Sequence, residues 1–150
     1  MNKTKNLICI IVIVALVVID QAIKLWIKSR FNVGQSVSVI DNFFSLTYVQ
    51  NSGAAFGILR DRRYVFLILS TVIIAGLFVV LVKSRNVLTI ASICLIIAGA
   101  IGNMIDRLVY GYVVDMFDFH GIWKYVFNFA DVCVVCGVIM FSILTLLEGE

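Results

Sequence analysis

Four stretches of this chain carry no Asp, Glu, Lys or Arg: Asn6 to Ile19, Tyr64 to Val82, Asn86 to Ile105 and Val132 to Leu147. The second and third are 19 and 20 residues long, enough to cross a hydrocarbon layer about 30 Å thick, which takes about 20 apolar residues in a helix. The first reaches that length only by taking in Asp20 and Lys24 and ending near Ile27. The fourth does so only by starting near Tyr125 and enclosing Asp131. The expected organisation is one integral membrane domain, residues 1–150, with spans at about 7–27, 64–82, 86–105 and 125–147. Composition agrees: 62% of residues are hydrophobic and 14% charged, against about 45–50% and about 25% in soluble domains. A net charge of +3, with basic residues at segment ends, offers no basic stripe, and nucleic acid is not an expected partner.

Lys3 and Lys5 ahead of an apolar run imitate a signal peptide. The run continues into "DQAIKLWIK" with no small-residue cleavage site, so an uncleaved first span is expected. Cys9 follows the bulky Ile8, which does not suit a lipoprotein precursor. "CVVC" at 133–136 has redox spacing but lies mid-span, where cysteines act as small apolar packing residues. His120 is the sole histidine and has no partner at ligand spacing, so neither metal nor cofactor is expected. Between the first two spans, "SVSVIDNFFSLTYVQ" is rich in β-branched and aromatic residues, as is "YGYVVDMFDF" after the third. Both read as strands. An even number of spans puts both connections on one side, where they can build a small sheet at the bilayer surface. The fold class is thus an all-α membrane protein of four transmembrane helices with a small β-sheet from the first and third connections.

Carboxylates inside spans are costly and by default mark function. Asp20 stands four residues before Lys24, a spacing that suits a structural ion pair as well as chemistry. Asp106 beside Arg107 reads as a neutralised charge where the third span meets water, and Asp118 as a solvated loop residue. Asp131 has no Lys or Arg within the following turn. A span from Tyr125 would set it about 9 Å along the helix, with Asn128 on its face as a hydrogen-bond donor. A second carboxylate beside it would separate their titrations into one acid and one base, an arrangement that activates water against a peptide carbonyl. Two other classes fit parts of this pattern. A small proton-coupled transporter would use Asp20 and Asp131 as ion-binding groups, and an assembly subunit would use the G-x-x-x-G spacing of "GAAFG".

The motifs "DQAIK" (20–24), "NSGAAFG" (51–57), "GNMIDRLVYGYVVDMFDF" (102–119) and "FNFAD" (127–131) together resemble the lipoprotein signal peptidases, the type II signal peptidases of bacteria, in order and spacing over nearly the whole chain. The resemblance implies a membrane aspartic endopeptidase that removes the signal peptide of prolipoproteins, cutting before a diacylglyceryl-modified cysteine. Membrane lipid would surround it, and no obligatory protein partner is implied. The catalytic pair carries over to Asp115 and Asp131. Asp20, Lys24, Asn51, Gly53, Asn103, Asp106, Arg107 and Asn128 match the supporting positions. Asn103 and Asn128 would hydrogen-bond around the pair and substrate, Asp106 and Arg107 would hold the loop, and the segment Asn51 to Gly57 would close over the precursor.

The family orientation implies the cell (inner) membrane, both termini cytoplasmic, and the sheet and active site at the extracytoplasmic surface. The positive-inside rule points the other way: Lys3, Lys5, Lys83 and Arg85 lie on one side, against Lys28, Arg30, Arg60, Arg62, Arg63, Arg107 and Lys124 on the other. The motifs outweigh that count, with Arg60, Arg62 and Arg63 assigned to anionic headgroups. The chain departs from the family pattern at Ile23, Val132 and Cys133, where relatives carry small or hydroxyl side chains.

Overall fold

A computed structural model of the chain describes residues 3–53 and 63–148. Among them are four helices long and apolar enough to cross a membrane: α1 (Lys3–Arg30), α2 (Arg63–Lys83), α3 (Val87–Val109) and α4 (Phe129–Glu148). Three strands, β1 (Ser36–Ile40), β2 (Phe44–Asn51) and β3 (Val113–Phe119), form an antiparallel sheet in the order β1-β2-β3. They come from the first and third connections. Leu, Ile and Val side chains cover the outer faces of α1, α2 and α4, as an apolar solvent demands.

Polar residues set the helix ends. The Asn86 side chain caps α3 by accepting from the Leu88 and Thr89 amides, which short connections favour. At the same end of the molecule Lys5 Nζ donates to the carbonyls of Leu81, Val82 and Ser84 at 2.9–3.1 Å. It thereby satisfies the orphan acceptors where α2 stops. The β1–β2 turn passes through Asn42 at φ 59°, a left-handed conformation that Asn tolerates.

Several boundaries differ from the sequence expectation: α1 already starts at Lys3, and α3 runs past Ile105 to Val109. Helix α1 runs beyond Ile27 to Arg30, because Lys28 and Arg30 are soluble at the end of a helix that has left the hydrocarbon. Helix α4 begins at Phe129 instead of Tyr125. Phe127 is held as a β-bridge to Phe117, with N–H···O bonds of 2.8 and 3.1 Å in both directions, and a residue committed to a strand cannot enter a helix. Asp131 therefore lies in the first helical turn, not 9 Å along. Asp118 likewise belongs to β3 rather than a loop. It pairs across to Ser45 and accepts from Thr47 Oγ1 at 2.8 Å.

Two apolar clusters hold these parts together. Cys9, Leu81, Ile93, Cys94 and Ile97 bind α1, α2 and α3 at the end near Lys5. Ile27, Tyr48, Val114 and Met116 seat the sheet on the end of α1. Cys133 is buried in keeping with a packing role, whereas Cys136 is exposed. Helices α3 and α4 form the most extensive helix pair, and small residues permit it. A methyl added at Gly99 would collide with the Ala130 carbonyl oxygen and with Val134. Gly99→Ala should therefore lower the melting temperature in detergent through overpacking of about 1–3 kcal/mol. Gly76→Ala, where an added methyl meets nothing within 4 Å, should leave it unchanged, and thermal unfolding of the two variants checks this.

Candidate active site

The residue between the β-bridge and α4 organises the site. Asn128 is the N-cap of α4: its Oδ1 accepts from the Asp131 amide at 2.9 Å, while an Asp131 carboxylate oxygen accepts from the Asn128 amide at 3.2 Å. This reciprocal exchange is a capping box built from Asn and Asp. It fixes the Asp131 side chain at the positive end of the helix. Because Asn128 Oδ1 is committed, its amide nitrogen points the other way, to Asp115 at 2.6 Å and to Asn103 Oδ1 at 3.1 Å. One fully buried asparagine thus touches both aspartates.

Asp115 sits on β3 and is 2% exposed. Its second oxygen accepts from Asn51 Nδ2 at 2.9 Å, delivered by the last residue of β2. Removal from water first, and then the nearby Asp131 charge, push its carboxyl up to about 7. The Asn51 and Asn128 donors and the Lys24 charge oppose that rise. Asp131 is half-buried and accepts a further bond from Asn103 Nδ2 at 2.7 Å. The Asn128 donor expected from the sequence is realised through its backbone amide, and Asn103 adds a second, so two N–H donors from two residues hold the Asp131 carboxylate. Two carboxylates in unlike surroundings, joined through shared amides, are equipped to hold one proton between them.

Both aspartates open on one cavity of about 1040 Å³ that Asn51, Asn103 and Arg107 also line. Its far wall is apolar, from Trp123 and Phe127 in the third connection and Val132, Val135 and Cys136 on α4. No local pattern assigns a role to these side chains, although the aromatic density of "WKYVF" is plain. Cys136 meets the cavity rather than the core. Gly53 is buried; its amide closes an Asx turn on Asn51 Oδ1 at 3.1 Å, and its carbonyl accepts from Arg107 at 3.5 Å. Arg107 also bonds the Asn103 carbonyl and lies over the Phe66 ring, 4.6 Å from its centre. Residues 54–57 of the expected closing segment lie outside the described residues.

Asp20, Lys24 and Asp106 stand behind the cavity. Lys24 Nζ lies 2.9 Å from Asp20 and 3.1 Å from Asp106. The two-membered pair expected from spacing is thus three-membered. Asp106 is fully buried, and its partner is Lys24 rather than Arg107. Gln21, a member of "DQAIK" given no role in the sequence reading, donates to both carboxylates at 3.1 and 3.0 Å. As a neutral amide it is cheaper to bury than a charge, so it does not draw the eye. Asp20 has both oxygens hydrogen-bonded or paired, the second to the Ala130 amide at 2.9 Å.

A family model described as signal peptidase (SPase) II matches residues 12–147. The chain belongs to the signal peptidase II family. The lipoprotein signal peptidase of Clostridioides difficile (strain 630) is 41% identical over 138 residues, covering 91% of this chain and 93% of its own. That of Halothermothrix orenii is 47% identical over 128 residues, covering 85% and 87%. A solved structure of a bacterial membrane enzyme superposes with a TM-score of 0.89 at 35% identity, covering 95% of this chain and 89% of that one. The four spans and the surface sheet are thus shared with a membrane enzyme, and the transporter and assembly readings fall away.

In this family member Asn128 serves two masters, and substitution separates them. Asn128→Ala removes the cap and should cost about 1 kcal/mol of stability. Asn128→Ser restores a capping oxygen but no amide for Asp115, so it should recover most of the melting temperature. Equal melting temperatures for the two variants would show that capping is not what Asn128 contributes.

Proposed function

We propose that Asp115 and Asp131 are the catalytic pair with which this membrane-spanning aspartic endopeptidase removes the signal peptide of prolipoproteins, cutting before a diacylglyceryl-modified cysteine. The observation that carries the proposal is the difference between their surroundings. Asp115, buried and raised to about 7, keeps its proton near neutral pH; Asp131, half-buried in the same cavity, is the base.

Asp131 takes a proton from a water molecule, whose oxygen bonds to the scissile carbonyl carbon while the Asp115 proton passes to the carbonyl oxygen. A gem-diol results. On its collapse the proton held by Asp131 goes to the amide nitrogen, the C–N bond breaks, and Asp115 recovers a proton from a diol hydroxyl. One water is consumed, and a carboxylic acid and an amine are released. Asn51, Asn103 and Asn128 keep the two carboxyl groups from turning away, which preserves an attack geometry worth several orders of magnitude in rate. The apolar wall from Trp123 to Cys136 suits acyl chains and an apolar signal helix, and each buried methylene contributes about 0.8 kcal/mol.

With the family orientation, the sheet and cavity face the extracytoplasmic side of the cell membrane and both termini the cytoplasm. The residues that weigh against this in the charge count are in part committed to the protein. Lys28 Nζ stands 3.1 Å from the centre of the Tyr110 ring, and Arg107 is held at Gly53 and Phe66. Exposed Trp26 and Trp123 at the sheet end suit a headgroup layer. Arg60, Arg62 and the Arg63 side chain lie outside the described residues.

Asp115→Asn and Asp131→Asn should each abolish cleavage of a diacylglyceryl-modified precursor peptide by protein that remains folded in detergent, and Asp118→Asn should not. For the wild type, kcat/KM should fall as pH rises through about 7, since Asp115 then loses the proton it donates. Full activity in either Asn variant, or a plateau running far into alkaline pH, would overturn the assignment. Orientation is tested apart from chemistry. In a cysteine-free background, Ser38→Cys should react with an impermeant thiol reagent added to intact cells and Ser84→Cys should not; the reverse pattern would invert the topology.

A further inference from the structure

The buried cluster behind the cavity meets the catalytic elements at two matching points. Asp106 on α3 accepts from the Val114 amide at 2.9 Å, and Val114 immediately precedes Asp115. Asp20 on α1 accepts from the Ala130 amide at 2.9 Å, and Ala130 immediately precedes Asp131. Between the two carboxylates lies Lys24, whose third bond goes to Asn103 Oδ1 at 3.0 Å. With its oxygen held by Lys24 and Asn128, the Asn103 amide can present only N–H to Asp131.

Resting on the catalytic reading above, we propose that Asp20, Lys24 and Asp106 form a positioning clamp. Each carboxylate fixes the backbone just ahead of one catalytic aspartate, and Lys24 sets both their separation and the orientation of Asn103.

Burial supports more than a packing role. Asp20, Lys24 and Asp106 are each at most 2% exposed, and three ionisable groups are costly to take out of water. An apolar trio would fill the same space without that cost. What apolar residues cannot do is accept the amides of Val114 and Ala130, which would otherwise be buried without partners. Gln21 completes the arrangement by donating to both carboxylates and to the Gly102 carbonyl at 3.2 Å. No residue of the trio lines the cavity; all three act through others.

The charged groups facing Asp115 are Asp131 from α4, Lys24 from α1 and Arg107 from α3. Lys24 is one of the influences holding its titration down. Loss of the Lys24 charge therefore leaves a signature that loss of fold does not.

The experiment uses the full chain in detergent with a diacylglyceryl-modified precursor peptide, rates being expressed per folded molecule. Lys24→Met should lower kcat about 100-fold with KM within about 2-fold. It should also shift the alkaline limb of the kcat profile upward by about one pH unit. A limb that stays in place, with kcat per folded molecule unchanged, would overturn the clamp. Should Lys24→Met not fold, a second pair decides. Asp20→Asn keeps an oxygen for the Ala130 amide and Asp20→Ala does not, so the Ala variant should lose about 10-fold more kcat than the Asn variant. Equal kcat in the two would overturn the proposal. Asp115→Asn and Asp131→Asn are assayed alongside. If they are inactive while the clamp variants are normal, only the clamp fails; if they are active, the catalytic reading fails first.

Discussion

A lysine ammonium held between two carboxylates, Asp20 at 2.9 Å and Asp106 at 3.1 Å, is the interaction on which the rest of this structure leans. Burying three ionisable groups is costly, and the cost is offset only because the polar atoms of the cluster find partners. Those partners are not arbitrary. They are the backbone amides where β3 and α4 begin to present their aspartates, the carbonyl of Gly102 at the α1–α3 crossing, and the amide of Asn103. Removal of the cluster would leave four elements without a common reference point.

From that cluster the polar network grows toward the cavity through neutral amides. Asn51, Asn103 and Asn128 each touch Asp115 or Asp131, and none brings a charge of its own. Amides suit the place. They are cheaper to bury than ions, they donate and accept in fixed directions, and they leave the carboxylates to divide the protons between themselves. The position of Asn128 makes the economy plain, since the same side chain caps a helix and ties the two aspartates together.

The fold serves this network by close approach. Small residues let α3 and α4 touch along their length, so that Asn103 and Asp131 come within hydrogen-bonding distance across a helix interface. The sheet does a different task. It carries Asp115 and Asn51 on adjacent strands to the membrane end of the bundle, and it commits Phe127 to a bridge that forces α4 to start late. The aspartate that sequence placed within a span therefore stands in the first turn of its helix, at the edge of the apolar layer.

Runs without charge determined the four spans, because a bilayer is crossed by helices or closed barrels and only a helix suits about 20 consecutive apolar residues. β-branched and aromatic density determined the strands, and four motifs in order pointed to residues that the structure brings together. Partnership was decided only by the tertiary structure. Spacing of four residues revealed Asp20 with Lys24, yet nothing local could show Asp106, 82 residues after Lys24 along the chain, as the third member. A one-dimensional pattern likewise could not foresee that Phe127 would be taken by β3, or that Gln21, neutral and unremarked, would bridge two carboxylates. Periodicity reports which face of an element avoids water. It carries no information on which distant amide will meet a buried oxygen, since that depends on where several helices and a sheet finally pack.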